Sequence, residues 1–195
     1  IAGDVVKLVD QLGLASVVLN GWSLGGAVAV EAADQLGSRC RGLVLTGGAT
    51  PTYIQKPDFK AGGTEADMAA TVGALQADRI GFLSGLVHAV CAKEVSPAIT
   101  DWMWKVFCES SPMAHVTLAQ LAPLDQREQL AGLAMPIVSF VGSADVFVAP
   151  DICRWVGTHN ANARVIEYEG VGHAPFIEVA EDYNRDLLAF LNDLA

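Results

Sequence analysis

Three residues of this 195-residue chain stand where their chemistry could be used together. Ser23 lies in Gly21-Trp22-Ser23-Leu24-Gly25, directly after the β-branched run SVVLN at 16–20. Asp145 follows the apolar run MPIVSFVG at 135–142, and His173 follows ARVIEYE at 163–169, inside the Gly-rich stretch GVGHAPFIE. A serine hydroxyl is a weak nucleophile until a neighbouring imidazole takes its proton. The imidazole in turn needs a carboxylate to fix its tautomer and stabilise its charged form. Serine, aspartate and histidine, each just beyond a strand-like run, therefore point to acyl transfer. A strand that enters a helix within about one residue forces the turning residue into strained backbone angles. Gly21 and Gly25 are then expected because no side chain fits beside such a turn, and Gly26, Ala27 and Ala29 let the following helix lie close to the strands. The Leu24 N–H and the positive helix N-terminus would face an oxyanion formed on the substrate.

Taken singly, each residue has a plainer reading. Ser23 could mark an ordinary Gly-rich or phosphate-binding turn, Asp145 a turn or helix cap, His173 a loop histidine. Neither G-x-x-x-x-G-K-[ST] nor G-x-G-x-x-G occurs, which weakens the phosphate reading. The remaining histidines fit catalysis less well. His88 and His115 fall in helical stretches, and His159 falls in the polar loop THNANA. Asp125 does not follow a strand, and Asp151, just after Pro150, is suited to starting a helix.

The elements that must position these residues can be read from periodicity. Val5, Leu8, Val9 and Leu12 repeat at helical spacing, so 3–12 reads as an amphipathic helix stopped by Gly13. Residues 16–20 and 41–47 read as buried strands, with an almost wholly apolar helix at 24–36 between them. From about residue 50 the strand signals vanish. Helices are expected over 65–77, 78–92, 97–109 and 113–122, interrupted by Pro97 and Pro112. Strands at 135–142 and 163–169 follow, with helices at 150–157 and 178–194. This is an α/β pattern with a mostly parallel sheet flanked by helices, whose ligands bind at the carboxyl ends of the strands. Residues 50–122 would form a helical excursion between the two groups of strands. Leu, Ala, Val, Met and Trp are frequent in it, Trp102 and Trp104 among them. They suit an acyl or aromatic substrate, or simply the packing of these helices on the rest.

Composition narrows the rest. The chain is 52% hydrophobic and 17% charged, which fits one well-buried domain. A formal net charge of −10 argues against nucleic acid or an anionic membrane as partner. Cys40, Cys91, Cys108 and Cys153 show neither paired spacing nor metal-ligand spacing with histidine, so buried free thiols are expected, with no metal. No run reaches the ~18 apolar residues of a membrane span. The first residues lack a signal peptide's basic start, so a cytoplasmic location is expected.

On the blocks GWSLGG, MPIVSFVGSADVFVAP and GVGHAPFIE, the chain resembles the serine α/β-hydrolases across essentially its whole length. GWSLGG and HAPFIE are most similar to the carboxylesterases that cleave pimeloyl-acyl-carrier-protein methyl ester, with haloperoxidase-like esterases close behind. The resemblance implies an α/β-hydrolase fold with residues 1–49 and 123–195 as its core and 50–122 as an inserted helical lid, and a triad of Ser23, His173 and Asp145, in that superfamily's chain order of serine, acid, histidine. It implies a carboxylic ester hydrolase working through an acyl-enzyme on a small-molecule ester, with no cofactor. C–C bond hydrolysis or perhydrolysis on the same triad is the alternative, as is a ligand-binding protein that does not turn over. Dehalogenases and epoxide hydrolases of this fold carry aspartate at the elbow, where this chain has Ser23. Trp22, Phe147 and Phe176, each near a triad residue, are candidate pocket walls. In the resembled family the nucleophile strand is central and an upstream His-Gly loop supplies the second oxyanion donor. Only 22 residues precede Ser23, without a His-Gly. Roughly 60–80 further N-terminal residues are therefore expected. A homo-oligomer or a partner segment is expected to cover the open sheet edge.

Overall fold

β-Branched and leucine-rich runs become the strands, and each strand leads to a helix or a group of helices. The computed structural model describes residues 1–194. In chain order the elements are α1 (Ala2–Gln11), β1 (Val17–Trp22), α2 (Leu24–Leu36), β2 (Cys40–Thr46), α3 (Glu65–Ala77), α4 (Arg79–Ala89) and α5 (Pro97–Cys108). There follow α6 (Ala114–Ala119), α7 (Arg127–Gly132), β3 (Ile137–Gly142), α8 (Pro150–His159), β4 (Ala163–Tyr168), α9 (Pro175–Glu178) and α10 (Ala180–Asn192). The strands form one sheet in the order β1-β2-β3-β4, with every pairing parallel. All four carboxyl ends therefore open on the same side, as an α/β sheet requires for its site.

Two apolar layers sandwich the sheet. On one face Leu43, Leu45 and Ile137 pack with Val30 and Ala33 of α2 and Val156 of α8. On the other, Val44, Val138 and Phe140 meet Tyr183 and Phe190 of α10. β3 is buried at every position, as a strand covered on both faces should be. β1 and β4 are the sheet's two outer strands, and β1 alternates between half-buried and exposed positions until it reaches Gly21.

The helices between β2 and β3 begin on clear local signals. At α3 the Thr64 N–H donates to Asp67 Oδ2 (2.8 Å) and the Asp67 N–H returns to Thr64 Oγ1 (3.2 Å), closing a capping box. Asp78 caps α4 by accepting from the Gly81 N–H at 2.9 Å, and Pro97 opens α5. Their inner faces form a separate apolar cluster around Val87, Val90 and Met103, which reaches across to Trp22, Phe147 and Ala174 at the strand ends.

The differences from the sequence expectations are local. β1 runs two residues past the expected end and takes in Gly21 and Trp22, so that Ser23 alone makes the turn. The expected helix over 178–194 is α10 (Ala180–Asn192), and α9 stands before it, separated by Val179 (φ −139°, ψ 49°). α7 and α9 were not anticipated. At six and four residues they are too short to show a helical period. Of the expected lid tryptophans, Trp102 is exposed to solvent and Trp104 packs within the cluster around Met103.

Candidate active site

Ser23 is held at φ 55°, ψ −127°, the one positive φ at a non-glycine residue among those described. The strain is secured from both sides. The Ser23 N–H donates to Thr46 O (3.1 Å), and its carbonyl accepts from Gly26 (2.9 Å) and Ala49 (2.8 Å). A Cβ on Gly21 would run into the carbonyl of Gly25, so the glycine before the serine is obligatory. Gly25 is a correction to the expectation: a Cβ there would meet nothing within 4 Å. The steric demand falls on the next residue, Gly26, where a Cβ would lie 2.7 Å from Gly48 Cα. Among the described residues the Leu24 N–H, first in α2, has no hydrogen-bond partner. It is thus a free donor at a helix N-terminus.

The other two predicted residues are brought together. His173 Nδ1 donates to Asp145 Oδ2 at 2.7 Å, and both residues are buried, with 4% and 8% exposure respectively. The remaining Asp145 oxygen accepts from the Phe147 (2.8 Å) and Val148 (3.0 Å) N–H groups. The carboxylate is thereby locked in a turn of its own chain. Because the carboxylate accepts at Nδ1, the imidazole is left with Nε2 as its free basic nitrogen. The His173 backbone is held as firmly, its N–H donating to Val90 O (2.9 Å) and its carbonyl accepting from Trp22 Nε1 (2.8 Å). Among the described residues no hydrogen bond joins Ser23 to His173. Both line one cavity of about 580 Å³. Such contacts are often loose until substrate is bound.

That cavity lies between the strand ends and the inserted helices. Leu75, Phe82, Leu86, Phe107 and Leu118 make most of its far wall, and Trp22, Leu24 and Phe147 its near wall. Trp22 and Phe147 also flank the His173 ring, with centroids 5.2 and 5.3 Å away. Phe176 does not line the cavity. It stands edge-on behind Trp22 (5.1 Å) and against Tyr183 (6.0 Å), where it braces the tryptophan. The sequence shows that Phe176 is near His173 in the chain but not that its ring turns inward.

Three contributors were missed. Gly47, at φ 48° just after β2, has His173 Nδ1 and Asp145 Oδ2 only 2.9 and 3.1 Å from where a Cβ would stand. Tyr53 also lines the cavity, and burial, with the Asp145 charge adding, pushes its phenol pKa up, so that the group remains a donor. Glu178, inside the quoted HAPFIE block, accepts three backbone N–H bonds around the histidine loop. Of these only Gly47 had a signal in the sequence, as the first of two glycines after a strand.

The discounted residues have local partners. Asp125 pairs with Arg127 (2.7 Å), Asp151 pairs with Arg154 (2.7 Å), and His159 stacks on Trp155 at 3.9 Å. All four cysteines are free, Cys40 and Cys153 buried and Cys91 and Cys108 half-buried. Burial first, with the Asp145 charge adding, pushes the Cys153 thiol up to about 12, far from a usable thiolate. Among the described residues no helix is long and apolar enough to cross a membrane.

Known proteins share this architecture. A pimeloyl-[acyl-carrier protein] methyl ester esterase of Nitrosomonas europaea is 28% identical over 168 residues, covering 84% of this chain and 66% of the relative. An esterase from Exiguobacterium antarcticum superposes with a TM-score of 0.93 at 24% identity, over 98% of this chain and 72% of the other. A bromoperoxidase from Bacillus anthracis does so with a TM-score of 0.91 at 23% identity, over the same shares of 98% and 72%. The chain thus spans from 66% to 72% of the length of these proteins. The sequence model of the alpha/beta hydrolase family matches residues 2–186, and on that match the chain belongs to the alpha/beta hydrolases.

Proposed function

We propose that the protein hydrolyses carboxylic esters through an acyl-enzyme on Ser23. The observation that carries the reading is the strained Ser23 sharing one apolar cavity with a buried Asp145–His173 pair. His173 Nε2 takes the hydroxyl proton as Ser23 Oγ attacks the ester carbonyl. Asp145 keeps the imidazole in the tautomer that can do so and stabilises its cation. The Leu24 N–H meets the oxyanion. The tetrahedral intermediate then collapses. The C–O bond to the alcohol breaks as His173 returns its proton to the leaving oxygen. Water repeats the sequence on the acyl-enzyme, releasing the acid and restoring Ser23. Tyr53 offers a phenol to an oxygen of the bound ester.

The cavity walls favour an apolar acyl or aryl group, and the electrostatics favour a free ester over one carried on an acidic protein. Residues 50–122 hold seven Asp or Glu against five Lys or Arg, so they present no net basic charge to such a carrier. Although relatives are named for a carrier-bound ester, the reading here is a small free ester. It is tested with p-nitrophenyl esters of increasing chain length. Steady turnover, dependent on Ser23 and unchanged as salt is raised, is expected. A single stoichiometric burst would indicate a binder that does not turn over. Inertness toward all esters would turn attention to C–C substrates.

A further inference from the structure

Glu178 closes α9, five residues after His173, and its carboxylate is surrounded by main-chain donors from two segments, one in its own histidine loop and one about 86 residues away. Oε2 accepts from the N–H groups of Ala92 and Lys93, both at 2.8 Å, in the turn between α4 and α5. The Gly172 N–H, immediately before His173, reaches both oxygens, at 2.9 and 3.1 Å. The two segments are also in direct contact. The His173 N–H donates to Val90 O (2.9 Å), and a Cβ on Gly172 would lie 2.6 Å from the Ala92 nitrogen. No side-chain cation shares the carboxylate among the described residues, so its partners are backbone alone.

We propose that Glu178 is a positioning residue for the base, a brace that ties the α4–α5 turn to the histidine loop and so sets where His173 Nε2 points. Its effect on rate rests on the esterase reading above, whereas the brace itself rests only on these contacts. A carboxylate accepts with both oxygens and forms stronger bonds to N–H groups than a neutral acceptor does. The amide of glutamine would turn an NH₂ toward donors and leave at least one of them unsatisfied. Gly172 precedes the base directly, so slack there becomes misplacement of Nε2 against Ser23. Displacement of about 1 Å at a reacting group is enough to cost on the order of 10²-fold. The other end of the brace follows α4, whose Phe82, Leu83 and Leu86 line the cavity. The same carboxylate thereby couples the substrate-facing helix to the base.

The test compares wild type, Glu178→Gln, Glu178→Asp and Leu133→Ala. Leu133 is buried before the start of β3, at the opposite end of the sheet, and so serves as a destabilised control. In Glu178→Gln the amides of Ala92, Lys93 and Gly172 should lose hydrogen-exchange protection. The kcat for p-nitrophenyl acetate, too short to need the far wall, should fall about 10- to 100-fold with KM within about twofold. Glu178→Asp, which keeps both acceptor oxygens on a shorter arm, should recover part of that kcat. Should Glu178→Gln not fold, the aspartate variant carries the same measurements with a smaller loss. Unchanged kcat despite lost protection, retained protection, or an equal kcat loss in Leu133→Ala would each overturn the proposal. An ester-inert wild type overturns the esterase reading instead. The brace is then read from exchange and from the His173 imidazole resonances, which should shift or broaden in Glu178→Gln. Their staying fixed would overturn it.

Discussion

Ser23 stores backbone strain where the hydroxyl is needed, and its side chain and its backbone can be tested apart. An L-residue at such angles costs about 1–3 kcal/mol, which glycine largely avoids at an entropic cost of about 0.5–1 kcal/mol. Ser23→Ala should leave the melting temperature nearly unchanged while turnover falls by several orders of magnitude. Ser23→Gly should be equally inactive but more stable by about 1 kcal/mol, which thermal unfolding would reveal. A variant of either kind retaining a tenth of normal turnover would remove Ser23 from the nucleophile's role. Asp145→Asn should cost about 10⁴-fold by admitting the wrong imidazole tautomer. Adding His173→Ala to Ser23→Ala should cost little more, since the three residues act as a unit. Gly47→Ala combines a positive φ with a Cβ 2.9 Å from His173 Nδ1. It should lower stability and activity together, and wild-type kinetics in that variant would contradict the packing described. At this scale the sequence singled out Ser23, Asp145 and His173 because each follows a strand, a relation that needs no tertiary knowledge. It could not show Glu178 or Tyr53, whose roles depend on segments 86 and 92 residues away, Ala92 and Asp145. Nor could it show that the ring of Phe176 turns away from the cavity.

Among the elements, α2 has the closest tolerances, because its first turn must lie against both β1 and the chain leaving β2. Sequence reasoning foresaw the small residues there, Gly26 among them for close approach to the strands, but also asked for a bare Gly25, which the packing does not require. A glycine's neighbours across the helix–sheet gap are invisible in a local pattern. The two adjacent glycines now separate cleanly. Gly25→Ala meets open space and replaces a poor helix former with the best, so stability should hold or rise by up to about 1 kcal/mol. Gly26→Ala pushes a methyl group to 2.7 Å from Gly48 Cα, backbone against which nothing flexible can yield. Overpacking of this kind costs about 1–3 kcal/mol. Thermal unfolding of the pair should therefore rank Gly25→Ala above Gly26→Ala, and equal losses would mean that α2 does not sit where described. Most other elements were legible because their signals are local: β-branched runs for the strands, Pro97 and Pro150 at two helix starts. α7 and α9 were not, since four to six residues cannot display a period.

At the scale of the whole molecule the sheet has two edges, β1 and β4, and β4 carries the exposed charges of Arg164 and Glu167 whereas β1 carries none. β2 and β3 are buried on both faces, while β1 pairs only with β2 among the described residues, and its outer N–H and C=O groups face no strand. Val17 and Leu19 point into the α2 side, but Val18 on the other face is 38% exposed, and Leu8, Leu12 and Leu14 nearby are exposed as well. An edge strand of this character pairs with whatever strand is offered, and proteins normally guard against it with charge, proline or a covering element. No Lys, Arg or Pro occurs in β1. The expectation of a covering strand thus becomes a measurable one. In solution the 195-residue chain should associate with a second copy through β1 as concentration rises, unless another segment occupies that edge. Val18→Lys places a charge on the exposed face of this strand, and Val18 is absent from the cavity wall. The substitution should therefore reduce association in light scattering while leaving the fold intact by circular dichroism. Slow hydrogen exchange along β1, becoming fast in Val18→Lys, should accompany it. A wild-type chain that stays monomeric at all concentrations, with β1 amides exchanging freely, would mean that the edge tolerates water and that the pairing argument is wrong.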